Sequence, residues 1–174
     1  MTYTIREINL EDLSAWWVLR LMALRESPDA FGSEYSTHKD KDPFPFYLDR
    51  GYLAGGPDTL FAAFDEHGRI VAQAGTRAES GKRSHIGMVI SVYTHPEHRG
   101  NGLATRLVQA AVEHLQTFPE ITSIRISVNS TNASAKKIYE ELGFVTWGEE
   151  PDAIRAIDGS CHNECHMVLG RRST

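Results

Sequence analysis

The chain has 174 residues, of which 41% are hydrophobic and 24% are charged. Its net charge of −5 and isoelectric point near 5.9 disfavour nucleic acid and anionic membranes as partners. The length predicts one domain over residues 1–174 with a substantial core. The chain has no apolar signal core at its start and no apolar run of the roughly 18 residues that span a membrane, so we expect a cytoplasmic protein.

The N-terminal third of the chain predicts one strand and one long helix, followed by an irregular region. The strand covers residues 4–8, and Asn9 caps the helix with Asp12 at the capping-box position. The apolar residues of this helix recur at helical spacing, and they are Leu13, Trp16, Trp17, Leu21 and Leu24. Residues 27–57 hold four of the seven prolines and predict one short helix over residues 46–50.

The remaining strands follow in a regular series. Residues 59–64 and 69–77 predict two strands joined by a tight turn at Gly68, and a polar loop leads into a third strand over residues 86–94. Residues 123–128 alternate apolar and polar side chains, which is typical of a strand with one buried face. Two final strands, 144–148 and 164–169, are separated by a loop over residues 149–161. This order of strands and helices predicts an α+β fold.

The segment from Pro96 to Ala104 reads PEHRGNGLA and joins the strand over residues 86–94 to a helix predicted over residues 102–117. The first amide N–H groups of a helix lack partners inside the helix and carry about half a positive charge, so they bind anions readily. Gly100 and Gly102 allow the backbone to approach such an anion without a Cβ in the way. The segment therefore predicts a diphosphate site, with a plain tight turn as the structural alternative.

Two common diphosphate motifs do not fit this segment. A Walker loop places a lysine after its last glycine, and no lysine follows Gly102. A dinucleotide fingerprint needs a third glycine, and Thr105 occupies that position. A nucleoside triphosphatase and a dinucleotide-binding enzyme are therefore disfavoured.

The segment instead resembles the coenzyme A loop of the GNAT acyltransferase superfamily, Gln/Arg-x-x-Gly-x-Gly/Ala after a strand, at Arg99, Gly102 and Ala104. A second segment, in a helix predicted over residues 132–142, resembles the family's Asn-x-x-Ala-x-x-Leu/Ile-Tyr-x-x-x-Gly-Phe motif. It matches at Asn132, Ala135, Ile138, Tyr139, Gly143 and Phe144. The chain is thereby identified as a member of this superfamily.

The resemblance implies the GNAT fold, in which a mixed, mostly antiparallel sheet of about seven strands is flanked by helices on both faces. It places the coenzyme A-binding core at residues 86–145 and the acceptor side at residues 1–58. It also implies that acetyl-CoA is the co-substrate, that no metal is required, and that a homodimer is compatible with the family. The expected acceptor is a small-molecule amine. The alternatives are a protein N-terminus or lysine, or a non-catalytic coenzyme A-binding sensor.

The resemblance also assigns residues to the coenzyme A site. In the family the strand before the loop diverges from its neighbour, so that backbone groups near Val92 and Thr94 can bind pantetheine and the thioester carbonyl. The expected cofactor-binding residues are Val92, Tyr93, Thr94, Arg99, Gly100, Asn101, Gly102, Leu103, Ala104 and Asn132. Asn132 is also a good helix N-cap in its own right.

Tyr139 is the expected general acid, because a phenol with a pKa near 10 is protonated at neutral pH and can donate to a leaving thiolate. The alternative is a core role, since Tyr139 lies on an apolar helical stripe with Ile138 and Leu142. No general base is assigned. The strand over residues 86–94 has no acidic residue, and the open candidates are Glu79, His85, Ser91, His95, Asp152 or ordered water.

The segment Cys161-His162-Asn163-Glu164-Cys165-His166 holds several residues of metal-ligating type, but six consecutive residues rarely enclose a tetrahedral ion. In a strand, Cys165 and His166 point to opposite faces, so we expect a strand rather than a metal site. The loops over residues 31–52 and 149–161 are expected to flank the acceptor. Trp16, Trp17 and Trp147 are expected in the core or at a dimer contact.

Overall fold

The computed structural model describes residues 2–52, 55–156 and 158–170. Its strands are β1 Thr4–Glu7, β2 Thr59–Phe64, β3 Ile70–Ala78, β4 Ile86–Thr94, β5 Ser123–Asn129, β6 Phe144–Arg155 and β7 Cys161–Leu169. Its helices are α1 Leu13–Glu26, α2 Pro43–Asp49, α3 Leu103–Gln116 and α4 Ala133–Glu141. No helix in these ranges is both long and apolar enough to cross a membrane.

The seven strands form one sheet in the order β1-β2-β3-β4-β5-β7-β6. Every neighbouring pair is antiparallel except β4 and β5, which are parallel. A parallel pair needs a long crossover, and α3 supplies it. The predicted α+β class and the mixed, mostly antiparallel sheet are confirmed.

Helices cover both faces of the sheet, as predicted. Along β2, Leu60 and Ala62 pack with Trp16 of α1, whereas Ala63 packs with Leu107 of α3 on the other face. Successive strand residues point to opposite faces, so α1 and α3 lie on opposite sides of β2. Helix α4 shares the α3 side, since Tyr139 belongs to the same buried cluster as Val108, Ile126 and Leu115.

The predicted capping box is present, but it caps a shorter element than expected. The side chain of Asn9 accepts a hydrogen bond from the Glu11 N–H at 2.9 Å, and Asp12 accepts one from the Asn9 N–H at 2.9 Å. The box caps a 3₁₀ turn over Leu10–Asp12, and α1 begins only at Leu13. Helix α2 also begins earlier than expected, at Pro43, because Asp42 accepts from the Phe44 N–H at 3.0 Å and proline suits a first turn.

The expectation of a loop over residues 149–161 is wrong. Strand β6 extends to Arg155, and only residues 156–160 connect it to β7; residue 157 lies outside the described part. The register shifts between Glu150 and Ile154, and Asp152 adopts a positive φ of 52°. Pro151 is accommodated because such an irregular stretch does not need its missing N–H.

The three tryptophans separate into two groups. Trp16 and Trp17 are buried in the core beneath α1 and α2, as expected. Trp147 is 56% exposed, so it is not in the core, and the alternative expectation, a dimer contact, stays a prediction. It lies on β6 and stacks on His166 of β7 with ring centroids 5.5 Å apart.

Candidate active site

The loop before α3 has the backbone geometry that its glycines suggest. Gly100 and Gly102 have φ values of +78° and +68°, in the left-handed region that favours glycine. A Cβ built on either residue would meet no atom within 4 Å. Backbone conformation, rather than crowding by the protein, therefore requires glycine here, and the space above the loop is open to a ligand.

The N-terminus of α3 presents its first amides without a side-chain cap. Gly102 is the N-cap residue, and the first helical hydrogen bond runs from the Arg106 N–H to its carbonyl at 3.1 Å. The N–H groups of Leu103 and Ala104 have no acceptor inside the helix for this reason. The side chain of Leu103 is buried in the core, so this residue can offer a ligand only its backbone.

Two polar side chains of the loop are already engaged with protein atoms. The Asn101 amide donates to the His98 carbonyl at 3.0 Å, so this side chain shapes the loop. The Arg99 Nε donates to the Thr94 carbonyl at 3.1 Å, and its Nη2 lies 3.6 Å from a Glu26 carboxylate oxygen. The sequence did not identify Glu26, at the end of α1, as a partner of Arg99, because no local pattern connects the two residues.

The structure shows that β4 and β5 diverge. Their pairing runs from Ile86–Ser123 to Val89–Ile126 and then stops, while β5 continues alongside β7. Beyond Val89, the β4 register against β3 steps by one extra residue at a β-bulge, where Ser91 has a φ of 57°. Gln73 of β3 supports the bulge, since its amide donates to the Ser91 carbonyl at 3.1 Å.

The three expected ligand residues at the end of β4 face different surroundings. Val92 packs on the α3 and α4 side, whereas Tyr93 is buried on the α1 side and donates its hydroxyl hydrogen bond to Glu26. Thr94 has a buried hydroxyl with no partner among the described residues. A buried hydroxyl without a partner is costly, but this oxygen is not accessible to a ligand. The open glycine loop, rather than this hydroxyl, fits a cofactor such as coenzyme A.

The second motif lies on α4 as expected. The Asn132 side chain accepts from the Ala135 N–H at 3.1 Å, so its N-cap role is present. Asn132 also lines a cavity of about 220 Å³ with Asn129 and residues at the end of α1. Asn132 therefore lies beside the end of β5, facing the segment that follows α1.

Tyr139 lies in the core on the α3 side of the sheet, so its place on an apolar helical stripe is confirmed. It is 5% exposed, and its ring meets Phe144 edge-on with centroids 6.3 Å apart. Burial raises the pKa of its hydroxyl above the ordinary value of 10.0. The phenol is therefore protonated at neutral pH and can donate a proton.

A second cavity, of about 300 Å³, lies on the sheet face opposite α3 and α4. It borders the place where β4 and β5 separate, and its lining includes Glu79, Arg83, Met88, Arg125, Ser127, Trp147, Glu164 and His166. Of the candidate bases named from the sequence, Glu79 is here, but it lies 3.7 Å from Arg77 and 3.6 Å from Arg83 in ion pairs.

Glu164 also faces this cavity, and sequence reasoning did not single it out. Its carboxylate accepts a hydrogen bond from the Ser127 hydroxyl at 2.9 Å. Strand alternation could have identified it from the sequence, because alternation places Glu164 and His166 on one face of the strand and Cys165 on the other. Cys165 is indeed buried in the core, away from His166, whereas Glu164 and His166 lie with Glu150 so that their ligand-type atoms are within 4.8 Å of one another.

Comparison with known sequences agrees with the geometry. Residues 20–144 match the family described as the acetyltransferase (GNAT) family. The chain is 27% identical over 136 residues to a mycothiol acetyltransferase of Thermobispora bispora, covering 78% of this chain but only 44% of that protein. It is 26% identical over 152 residues to N-alpha-acetyltransferase 30 of Saccharomyces cerevisiae, covering 76% of this chain and 84% of that protein.

Solved structures share the fold. A GNAT-family acetyltransferase from Streptococcus pneumoniae superposes with a TM-score of 0.85 at 20% identity, covering 96% of this chain and 98% of that one. The yncA protein of Salmonella typhimurium, solved with its cofactor acetyl-CoA, superposes with a TM-score of 0.81 at 19% identity, covering 100% of this chain and 98% of that one. The family match leads to one conclusion, with which the shared fold agrees: this chain belongs to the GNAT family, a family of acyltransferases that use acetyl-CoA.

Proposed function

We propose that this enzyme transfers the acetyl group of acetyl-CoA directly to a primary amine of a small molecule, with Tyr139 as the general acid. The observation that carries the proposal is the cleft left where β4 and β5 diverge after Val89 and Ile126. The uncapped N-terminus of α3 lies after one strand of that cleft, and α4 with Tyr139 lies after the other.

Each expected ligand residue has a role in this proposal. The backbone N–H groups from Gly100 to Ala104 bind the diphosphate, with Arg99 as an additional cation. The backbone of β4 from Val92 to Thr94 binds pantetheine and the thioester carbonyl, and Asn132 binds pantetheine from the facing side. Asn101 and Tyr93 contribute through their backbones, because their side chains bond to protein atoms.

Acetyl-CoA supplies the acetyl group as a thioester, which is reactive toward an amine. The protein's contribution to bond cleavage is a proton for the departing sulfur. Tyr139 can supply it because a phenol is protonated at neutral pH, and burial, which raises the pKa of this hydroxyl, keeps it so. Tyr139 and Val92 contact the same apolar cluster, which supports a position beside the cleft.

The substitution Tyr139→Phe tests the proposed acid. It removes one hydroxyl and leaves the packing of the ring on Phe144 in place. We expect kcat to fall by about 10²–10⁴-fold, the usual contribution of a general acid. The assay is release of free thiol from acetyl-CoA with a panel of polyamines, amino acids, aminoglycosides and short peptides.

The thermal shift given by acetyl-CoA is the control for this experiment. The variant should keep the same rise in Tm as the unsubstituted enzyme, because the hydroxyl acts on the leaving group. Equal kcat in both proteins would remove Tyr139 from the mechanism.

A peptide N-terminus is a second candidate acceptor. The similarity to N-alpha-acetyltransferase 30 over 76% of this chain favours it. The same panel distinguishes the two classes, since a peptide-specific enzyme would release thiol with short peptides and remain inactive with free amino acids and polyamines.

A further inference from the structure

The cavity of about 300 Å³ is placed to hold a second reactant. Along β5, Ile124 and Ile126 face the α3 and α4 cluster, so Arg125 and Ser127 face the opposite side. The last pair between β4 and β5 is Val89–Ile126, and Ser127 is the next residue. The cavity wall therefore reaches the point where the two strands part.

One end of this cavity carries an available negative charge. Glu164 accepts one hydrogen bond, from Ser127, and makes no ion pair within the described residues. The other carboxylate in the wall, Glu79, is already in ion pairs with Arg77 and Arg83. The Glu164 carboxylate lies within 4.8 Å of both His166 and Glu150, but those two pair with each other at 3.0 Å. An ammonium group in the cavity would thus meet Glu164 as the carboxylate free to receive it.

The other end carries an available positive charge. The Arg125 guanidinium lies over the indole of Trp147, 5.4 Å from the ring centroid, and its Nε donates to the Ser123 hydroxyl at 3.3 Å. No carboxylate within the described ranges lies in ion-pair distance of Arg125. Since arginine presents several donors to a planar anion, a ligand carboxylate can bind beside the indole.

We propose that this cavity is the acceptor site and that its substrate is a primary amine that also carries a carboxylate, such as a free amino acid. Its ammonium group binds Glu164, its carboxylate binds Arg125, and its side chain contacts Trp147 and Met88. Arg125 and Ser127 are two residues apart on β5, about 7 Å along the strand, which suits the two ends of one small zwitterion. The volume is at the lower end of the range for small-ligand sites.

This inference rests on the proposed acetyl transfer and gives Glu164 the part of the base. Glu164 takes one proton from the ammonium group and passes it to solvent, which leaves a neutral amine. The amine nitrogen forms a bond to the acetyl carbon while the carbon–sulfur bond breaks. The sulfur receives the proton of Tyr139, and the second proton lost by the nitrogen restores that phenol. The products are an N-acetyl amino acid, a free thiol and one proton.

The substitution Arg125→Met tests the carboxylate end. The acceptors are an amino acid active in the panel and the amine that differs from it only by lacking the carboxylate. We expect at least a tenfold rise in KM for the amino acid, with unchanged KM values for the decarboxylated amine and for acetyl-CoA. Arg155→Met, at an exposed residue of β6 outside the cavity wall, is the charge-matched control and should change none of these values.

The substitution Glu164→Gln tests the base. We expect at least a tenfold fall in kcat with an unchanged KM for acetyl-CoA, and Glu141→Gln, on the exposed surface of α4, should have no effect. If Arg125→Met raises the KM of both acceptors alike, or if Glu164→Gln retains full kcat, the acceptor site is assigned wrongly.

The same assays distinguish an error in this acceptor-site inference from an error in the proposed acetyl transfer. An enzyme that acetylates amines without preferring those with a carboxylate overturns this inference and keeps the proposed function. A protein that releases no thiol with any acceptor and gains no Tm from acetyl-CoA overturns both.

Discussion

Tyr139 illustrates how burial sets the chemistry of a single residue. Desolvation alone raises the pKa of its hydroxyl, because the charged phenolate is less stable away from water. The shift keeps the phenol protonated at neutral pH, and it also makes the hydroxyl a weaker acid than that of a solvent-exposed tyrosine. By linkage, its contribution to folding is present below the unfolded pKa of about 10 and is lost only at higher pH.

This shift predicts the shape of the pH profile. We expect no falling limb from Tyr139 in kcat/KM up to about pH 10, since its hydroxyl is still protonated there. Steady-state rates between pH 6 and 10 measure this. A falling limb below pH 9 that disappears in Tyr139→Phe would contradict the raised pKa.

At the scale of the element, α3 combines two functions along one helix. Leu107, Val108 and Leu115 bury its apolar face, while its first turn presents bare amides above a loop with two left-handed glycines. Packing against the sheet holds the helix in place, so the orientation of its N-terminal N–H groups is set before an anion arrives.

The substitution Gly102→Ala separates these two functions. An alanine at φ +68° should cost about 1–2 kcal/mol of unfolding free energy, and its Cβ would project into the open space above the loop. We expect a higher KM for acetyl-CoA, measured by thiol release, together with a lower urea midpoint.

Gly51→Ala is the matched control. Gly51 has a φ of +73° and open space around a Cβ, but it follows α2 on the opposite face of the sheet. The Gly51→Ala variant should lose a similar amount of unfolding free energy, and its KM for acetyl-CoA should be unchanged. A raised KM in both variants would mean that general destabilisation, rather than the anion site, determines acetyl-CoA binding.

At the scale of the whole molecule, the two faces of the sheet have separate cores that share the same strands. Trp16 of α1 packs on residues of β2 that point one way, and Leu107 of α3 packs on those that point the other way. Because both cores depend on the same strands, loss of either one should destabilise the entire sheet.

The substitution Leu107→Ala measures this dependence. Leu107 is 0% exposed, so truncation should cost about 2–5 kcal/mol through lost burial and a residual cavity. The free energy of unfolding in urea should fall by that amount in a single transition with an unchanged m-value. Leu48→Ala, at a residue 45% exposed, should change stability by less than about 0.5 kcal/mol. Two separate transitions would show that the cores unfold independently.

The sequence by itself determined most of the local elements and the family. Hydrophobic periodicity predicted the helices and most strands, and the motifs around Gly102 and Tyr139 resembled those of the GNAT family, to which the chain belongs. These predictions depend on residues close together in the chain, where backbone preference and side-chain spacing decide the outcome.

Only the tertiary structure decided which distant residues meet. The bulge at Ser91, the contact of Glu26 with Arg99, and the cavity that holds Arg125 and Glu164 each depend on strand register or helix placement. A one-residue change of register moves a side chain to the other face of a sheet, so no local pattern could have assigned these contacts. The length of β6 was missed for the same reason, because pairing with β7 stabilises a stretch that contains Pro151.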